Sequence, residues 1–152
     1  MSDTASWRLA PYITVSDATA AIAFYEAAFG ATVRTKHLVP DGTKVMHADL
    51  DLHGATIFLC DDFPEFNDGK QRDPRAFGGS PVTLHIDVPD VDAVFARALE
   101  HGATVEMALE DQFWGGRYGQ LIDPFGHRWS LQTPGERPTD EQLDAGARAA
   151  LT

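Results

Sequence analysis

Two short runs and one loop concentrate the chemistry of this chain. In residues 83–88, TLHIDV, strand alternation puts Thr83, His85 and Asp87 on one face and Leu84, Ile86 and Val88 on the other. In residues 45–51, VMHADLD, it puts Val45, His47, Asp49 and Asp51 opposite Met46, Ala48 and Leu50. A histidine beside a carboxylate suits acid–base work near neutral pH, which makes His85 the candidate general base. The same pattern also describes a structural histidine held by hydrogen bonds. His47 and His85 with Asp49 or Asp87 form a third alternative, a metal set of imidazole and carboxylate. His37, His53, His101 and His127 fall in turns or at element ends and read as solvated. The loop QFWGGRYG sets Phe113 and Trp114 beside Arg117, where rings and a guanidinium can clamp a planar or anionic ligand. In the alternative reading, Arg117 pairs with Glu110 or Asp111. Gly115 and Gly116 open no helix and follow no phosphate-binding pattern. No serine or cysteine lies in a nucleophile turn, which argues against a Ser-His-Asp or Cys-His unit.

The elements that position these residues come in two copies. Residues 15–33, VSDATAAIAFYEAAFGATV, and 88–105, VPDVDAVFARALEHGATV, share Val-x-Asp, a helical stretch and Gly-Ala-Thr-Val. Asp17 and Asp90 are placed as N-caps, and Gly30 and Gly102 as left-handed helix ends. Ala18, Ile22, Tyr25 and Phe29 form one apolar stripe; Val91, Val94, Phe95, Ala98 and Leu99 form the other. Residues 44–60 and 117–131 each read strand, turn, strand, turning at DLHG and DPFG. Each copy is therefore strand, helix and three strands. Module 1 is expected over 8–61 and module 2 over 82–133, with a Pro-, Gly- and Asp-rich linker over 62–81 that is either mobile or a lid. The tail 134–152 carries a helix start at Thr139 and a thin apolar face of Leu143, Ala147 and Leu151.

Composition narrows the partners. The net charge of −11 and the absence of clustered Lys and Arg argue against nucleic acid. No apolar run approaches the ~20 residues of a membrane span, and the start shows no signal peptide. The single Cys60, read as a core thiol, makes no internal disulfide, so a cytoplasmic location is expected.

Two tandem βαβββ modules, with PYITVSDATAAIAFYEAAFGA and EDQFWGGRYGQLIDPFGHRWSL, resemble the vicinal oxygen chelate superfamily of glyoxalases, bleomycin-resistance proteins and extradiol dioxygenases, and most of all its PhnB-like, glyoxalase-related branch. The resemblance covers residues 8–133 and implies an α+β fold in which half-barrel sheets, paired within or between chains, enclose a ligand cavity. It also implies a homodimer. Enzymes of this superfamily hold a divalent metal with first-strand His or Gln and last-strand Glu. Counting seven residues back from Asp17 and Asp90, and seven on from Asp51 and Asp123, those positions read Ala10, Thr83, Phe58 and Ser130. Ala and Phe offer no lone pair, and neutral hydroxyls are poor replacements for imidazole and carboxylate, so no metal cofactor is expected.

By the same analogy Thr83 and Ser130 mark the cavity side, which turns His85, Asp87, Arg128 and Gln132 inward, with Tyr12 and Thr14 from the first strand and Tyr118 and Gln120 from the penultimate one. Trp114 and Arg117 would form the cavity lip, or Trp114 would plug the open end of the half-barrel. Trp129 and Phe125 are expected in the core. The expected ligand-binding set is Tyr12, His47, His85, Asp87, Trp114, Arg117, Tyr118, Gln120, Arg128 and Ser130. The function implied is binding of a small organic molecule without the usual metal; the alternative is a glyoxalase-like lyase or isomerase with His85 or an acidic residue as general base.

Overall fold

The computed structural model describes residues 6–152. β1 (Tyr12–Val15) leads into α1 (Ala18–Phe29), then β2 (Thr32–Leu38), β3 (Val45–Leu52) and β4 (Ala55–Asp61). β5 (Thr83–Asp87), α2 (Val91–Glu100), β6 (Thr104–Asp111), β7 (Arg117–Ile122) and β8 (Arg128–Thr133) repeat that order, and α3 (Asp140–Leu151) follows. Each βαβββ unit makes a four-stranded mixed sheet, ordered β1-β4-β3-β2 and β5-β8-β7-β6. First and last strands of a unit pair in parallel and the remaining neighbours antiparallel. The architecture is the expected α+β pair of half-barrel sheets.

Local chemistry explains the helices. Asp17 accepts a hydrogen bond from the Ala20 amide at 3.0 Å, and Asp90 from the Ala93 amide at 3.2 Å, satisfying first-turn donors. Gly30 ends α1 at φ 70°, a left-handed conformation that only glycine adopts without strain. α2 stops slightly earlier than expected, capped by His101, with Gly102 following. Both stripes turn into one core, except that Leu99 stays at the surface.

The modules interlock on the helix side of the sheets. Phe24 meets Phe125 and Phe29 meets Trp129 with ring centroids 6.3 and 4.8 Å apart. The DPFG turn does more than reverse the chain. Its buried Asp123 accepts from the Tyr25 hydroxyl (2.6 Å), the Trp129 indole (2.9 Å) and the Phe125 and His127 amides (2.9 and 3.0 Å). Burial, then the neighbouring carboxylate, holds the Tyr25 phenol well above its ordinary pKa. His127 is not solvated as expected: its Nε2–H donates to the Thr14 carbonyl at 2.8 Å, on the outer edge of β1. His53 likewise donates to the Phe29 carbonyl at 2.8 Å.

One further expectation needs correction. Val45 lies in the core rather than beside His47, because the β2–β3 ladder shifts register between His37 and Leu38 and turns Val45 over. His37 lies next to the end of β2, opposite His47, and is exposed as expected. The linker is tied down by Asp62, which accepts the Arg72 and Asp73 amides at 2.8 and 3.3 Å, and it forms short 3-10 turns at Pro64–Phe66 and Pro74–Phe77. α3 begins at a capping box in which Thr139 and Gln142 bond reciprocally.

Candidate functional site

Each sheet has one face against the helices and one open face. β5 and β8 pair with His85 opposite Ser130 and Asp87 opposite Gln132, and β7 brings Gln120 and Tyr118 alongside those two rows. Their side chains form a continuous hydrogen-bonded chain. The Trp114 indole N–H donates to Gln132 Oε1 at 2.5 Å, and the Gln132 amide nitrogen, so oriented, reaches Asp87 Oδ1 at 3.4 Å. Asp87 Oδ1 also meets His85 Nε2 at 2.8 Å, and His85 Nδ1 meets Ser130 Oγ at 2.7 Å. A carboxylate only accepts, so His85 Nε2–H donates to Asp87, and in the neutral imidazole Ser130 donates to Nδ1. Tyr118 stacks near the imidazole at 6.2 Å and accepts from the Gln120 amide at 2.8 Å, leaving its own hydroxyl hydrogen free.

The open face of module 1 carries a related cluster. The Tyr12 hydroxyl meets His47 Nδ1 at 2.7 Å, and both rings pack on Phe58, with centroids 5.7 and 5.1 Å away. Burial, then the Cys60 thiol, raises the Tyr12 pKa. Arg8 lies over Phe58, 5.3 Å from the ring centre. The ladders make Tyr12 and His85 counterparts, since they face Phe58 and Ser130 across the parallel pairs. His47 and Tyr118 are counterparts on the antiparallel side, two residues before Asp49 and Gln120. The repeat has thus kept the tyrosine–histidine pair and exchanged its members between strands.

Arg117 has to be removed from the expected site. It neighbours Tyr118 in β7 and therefore points to the opposite, helix-packing face. There it forms a forked pair with Asp92 at the start of α2, at 3.0 Å, and a second contact with Asp111 at 3.3 Å. These two carboxylates raise its pKa. Trp114 stands edge-on to Tyr118 at 5.4 Å, at the rim of the open face. Arg128 pairs with Glu106 at 3.0 Å, while its buried Nε finds no partner among the described residues. Gln132, absent from the expected set despite its inward orientation, proves to be the link between Trp114 and Asp87. The sequence signal for it was alternation with Ser130.

The donor set does not fit the superfamily's metal. Phe58 and Ser130 lie on the open faces directly across from Tyr12 and His85, while Ala10 precedes β1 and Thr83 pairs with Arg128. Alanine and phenylalanine offer nothing to a cation. No group of three or more His, Cys, Asp or Glu gathers among the described residues, and His47 and His85 lie in different sheets. No helix among the described residues is long and apolar enough to cross a membrane.

Paired βαβββ half-barrels with a polar, aromatic open face define a protein of the glyoxalase type. Residues 8–131 match the Glyoxalase/Bleomycin resistance protein/Dioxygenase superfamily, and the chain belongs to it. Over 137 residues it is 49% identical to "Uncharacterized protein Mb0911c" of Mycobacterium bovis, covering 90% of each chain. It is 30% identical over 132 residues to "Uncharacterized protein At5g48480" of Arabidopsis thaliana, covering 82% of this chain and 76% of that one. The solved structure of the Arabidopsis gene product At5g48480 superposes with a TM-score of 0.62 over 86% of this chain and 98% of that one, at 26% identity. A Bacillus cereus structure titled as a putative 3-demethylubiquinone-9 3-methyltransferase, PhnB protein, superposes with a TM-score of 0.63 at 18% identity, over 84% of this chain and 99% of that one.

Proposed function

We propose that this protein binds a small organic molecule on the open faces of its half-barrels, without the divalent metal typical of its superfamily, as a cytoplasmic homodimer. The observation carrying this reading is the replacement of metal donors by aromatic and hydrogen-bonding side chains at the centre of each open face. Phe58 with Tyr12 and His47 offers a stacking surface; Tyr118 offers a free hydroxyl hydrogen, and Asp87 a free carboxylate oxygen. Such mixtures of apolar area and a few fixed polar groups are how small-molecule sites obtain orientation. The acidic surface favours cationic compounds. Thermal-shift screening against divalent metals, thiol adducts and cationic antibiotics tests it, because a ligand that binds only the folded state raises the melting temperature by mass action. Stabilisation by an organic compound that survives a chelator supports the reading; a stoichiometric divalent ion in the purified protein defeats it.

One observation favours a second reading, a lyase or isomerase with His85 as general base: the orienting chain from Trp114 through Gln132 and Asp87 to the imidazole. That chain occupies both ring nitrogens, however, so His85 would have to release Ser130 before taking a substrate proton. Once turnover of any substrate is found, a His85→Ala variant should lose about 100-fold or more of it. Full turnover in that variant removes the second reading.

A further inference from the structure

β5 is bonded to a neighbour on only one side. The Val88 amide donates to Gln132 in β8, so alternation directs the main-chain N–H and C=O of His85 and Asp87 away from β8, to a free edge. Two cavities of about 360 and 540 Å³ lie along this edge and share Leu52, Ala55, His85 and Ile86. They form one cleft between the modules, with apolar walls that include Ile57, Trp129, Phe29 and Val94. Arg8 lines one end and Arg97 the other, and neither has an acidic partner among the described residues.

The equivalent edge of β1 is closed. There the Thr14 carbonyl, counterpart of the Asp87 carbonyl, is taken by His127 from the turn entering β8. His127 lies three residues before Ser130, and the residue three before Phe58 is Ala55. Where module 2 supplies an imidazole to cap its neighbour's edge strand, module 1 supplies a methyl group, and the cleft remains.

We propose that this cleft takes an extended peptide segment of about five residues, apolar in the middle and acidic at both ends, which adds as a strand to the free edge of β5. Main-chain bonds to His85 and Asp87 hold it, Leu52, Ile57, Phe29 and Val94 receive its alternate side chains, and Arg8 and Arg97 pair with its ends. On a chain of net charge −11, two arginines that have no acidic partner among the described residues and flank one apolar cleft select for acidic flanks. The cleft borders the open faces and shares Arg8, His85 and Asp87 with them, but it uses only the main chain of the last two and does not rest on the open-face reading.

The test uses the acetylated, amidated pentapeptide EVIVE, the same peptide methylated on alternate amide nitrogens, and a version with lysine at both ends. Binding is followed by hydrogen–deuterium exchange of the full chain. The expected result is that EVIVE slows exchange at His85 and Asp87 about tenfold at ten times its Kd. Protection should vanish with the methylated peptide, which cannot form the ladder, and weaken at least about tenfold with the lysine peptide or in Arg97→Glu. In Ala55→His the introduced imidazole should cap the Asp87 carbonyl, as His127 caps that of Thr14, and abolish peptide protection. Should that variant misfold, Val94→Trp blocks the same cleft from α2. No protection by about 1 mM peptide, or protection equal with the methylated peptide, overturns the proposal. So does concentration-dependent protection without peptide, because a second copy then occupies the edge.

Discussion

The Asp123 carboxylate accepts hydrogen bonds from both modules, and its stability effect should exceed that of any single apolar contact near it. Asp123→Ala strands the Tyr25 hydroxyl and Trp129 indole in the core and should cost about 3 kcal/mol or more. That is a fall of roughly 6–12 °C in melting temperature, readable by circular dichroism. Tyr25→Phe removes only one of these bonds and should cost about 1.5–3 kcal/mol. The Tyr25 phenol ionises less readily folded than unfolded, so the native state holds its proton above the unfolded value of 10.0. Its stabilisation is complete below that pH and is lost as pH rises further. Wild-type melting temperature should therefore drop steeply above pH 10, and a Tyr25→Phe variant that shows the same alkaline slope would refute this source. Alternation, oriented by the superfamily's metal positions at Thr83 and Ser130, put His85, Asp87, Ser130 and Tyr118 on one face, because these strand pairs run without bulges. Arg117 was assigned from its place in the FWGGR loop instead, although alternation from Tyr118 turns it to the helix side.

Among the elements, the repeat made both βαβββ units legible, since caps, helix-ending glycines and apolar stripes are all short-range signals. The bulge at Val45 was hidden because it arises from pairing with β2, a long-range event. The relay from Trp114 to Ser130 was hidden for the same reason: it draws on the 112–116 loop, β5 and β8. Close approaches between elements give two checks. A methyl group on Gly119 in β7 would sit 2.8 Å from Leu109 and 3.1 Å from Phe95. Gly119→Ala should therefore cost about 1–3 kcal/mol by chemical denaturation, in contrast to the gain expected for alanine in an open strand. In α3 a Cβ on Gly146 would lie 2.7 Å from the Phe113 ring, and α3 buries no side chain fully. Gly146→Leu should leave global stability within about 1 kcal/mol while opening the segment near residue 135 to limited proteolysis. Unchanged cleavage would mean that α3 is not held by Phe113.

The whole molecule keeps its helix-side core closed and its open faces wet. Tyr12 is 53% exposed and Met107 45%, on strands that would be the interior of a closed barrel. Sedimentation should accordingly report twice the 16.6 kDa chain mass at micromolar concentration. A strictly monomeric protein would leave each open face to bind ligand alone, and the affinity of any compound found by screening should then not change with protein concentration.

The bond from His127 to the Thr14 carbonyl joins residues 113 apart in the chain. During synthesis, module 1 emerges with its β1 edge unsealed and waits for almost all of module 2 before that edge is covered. The nascent half-chain therefore passes through an interval in which a bare strand edge can meet a neighbouring ribosome's product. Slow codons placed between the modules would lengthen that interval instead of helping the first half to finish folding.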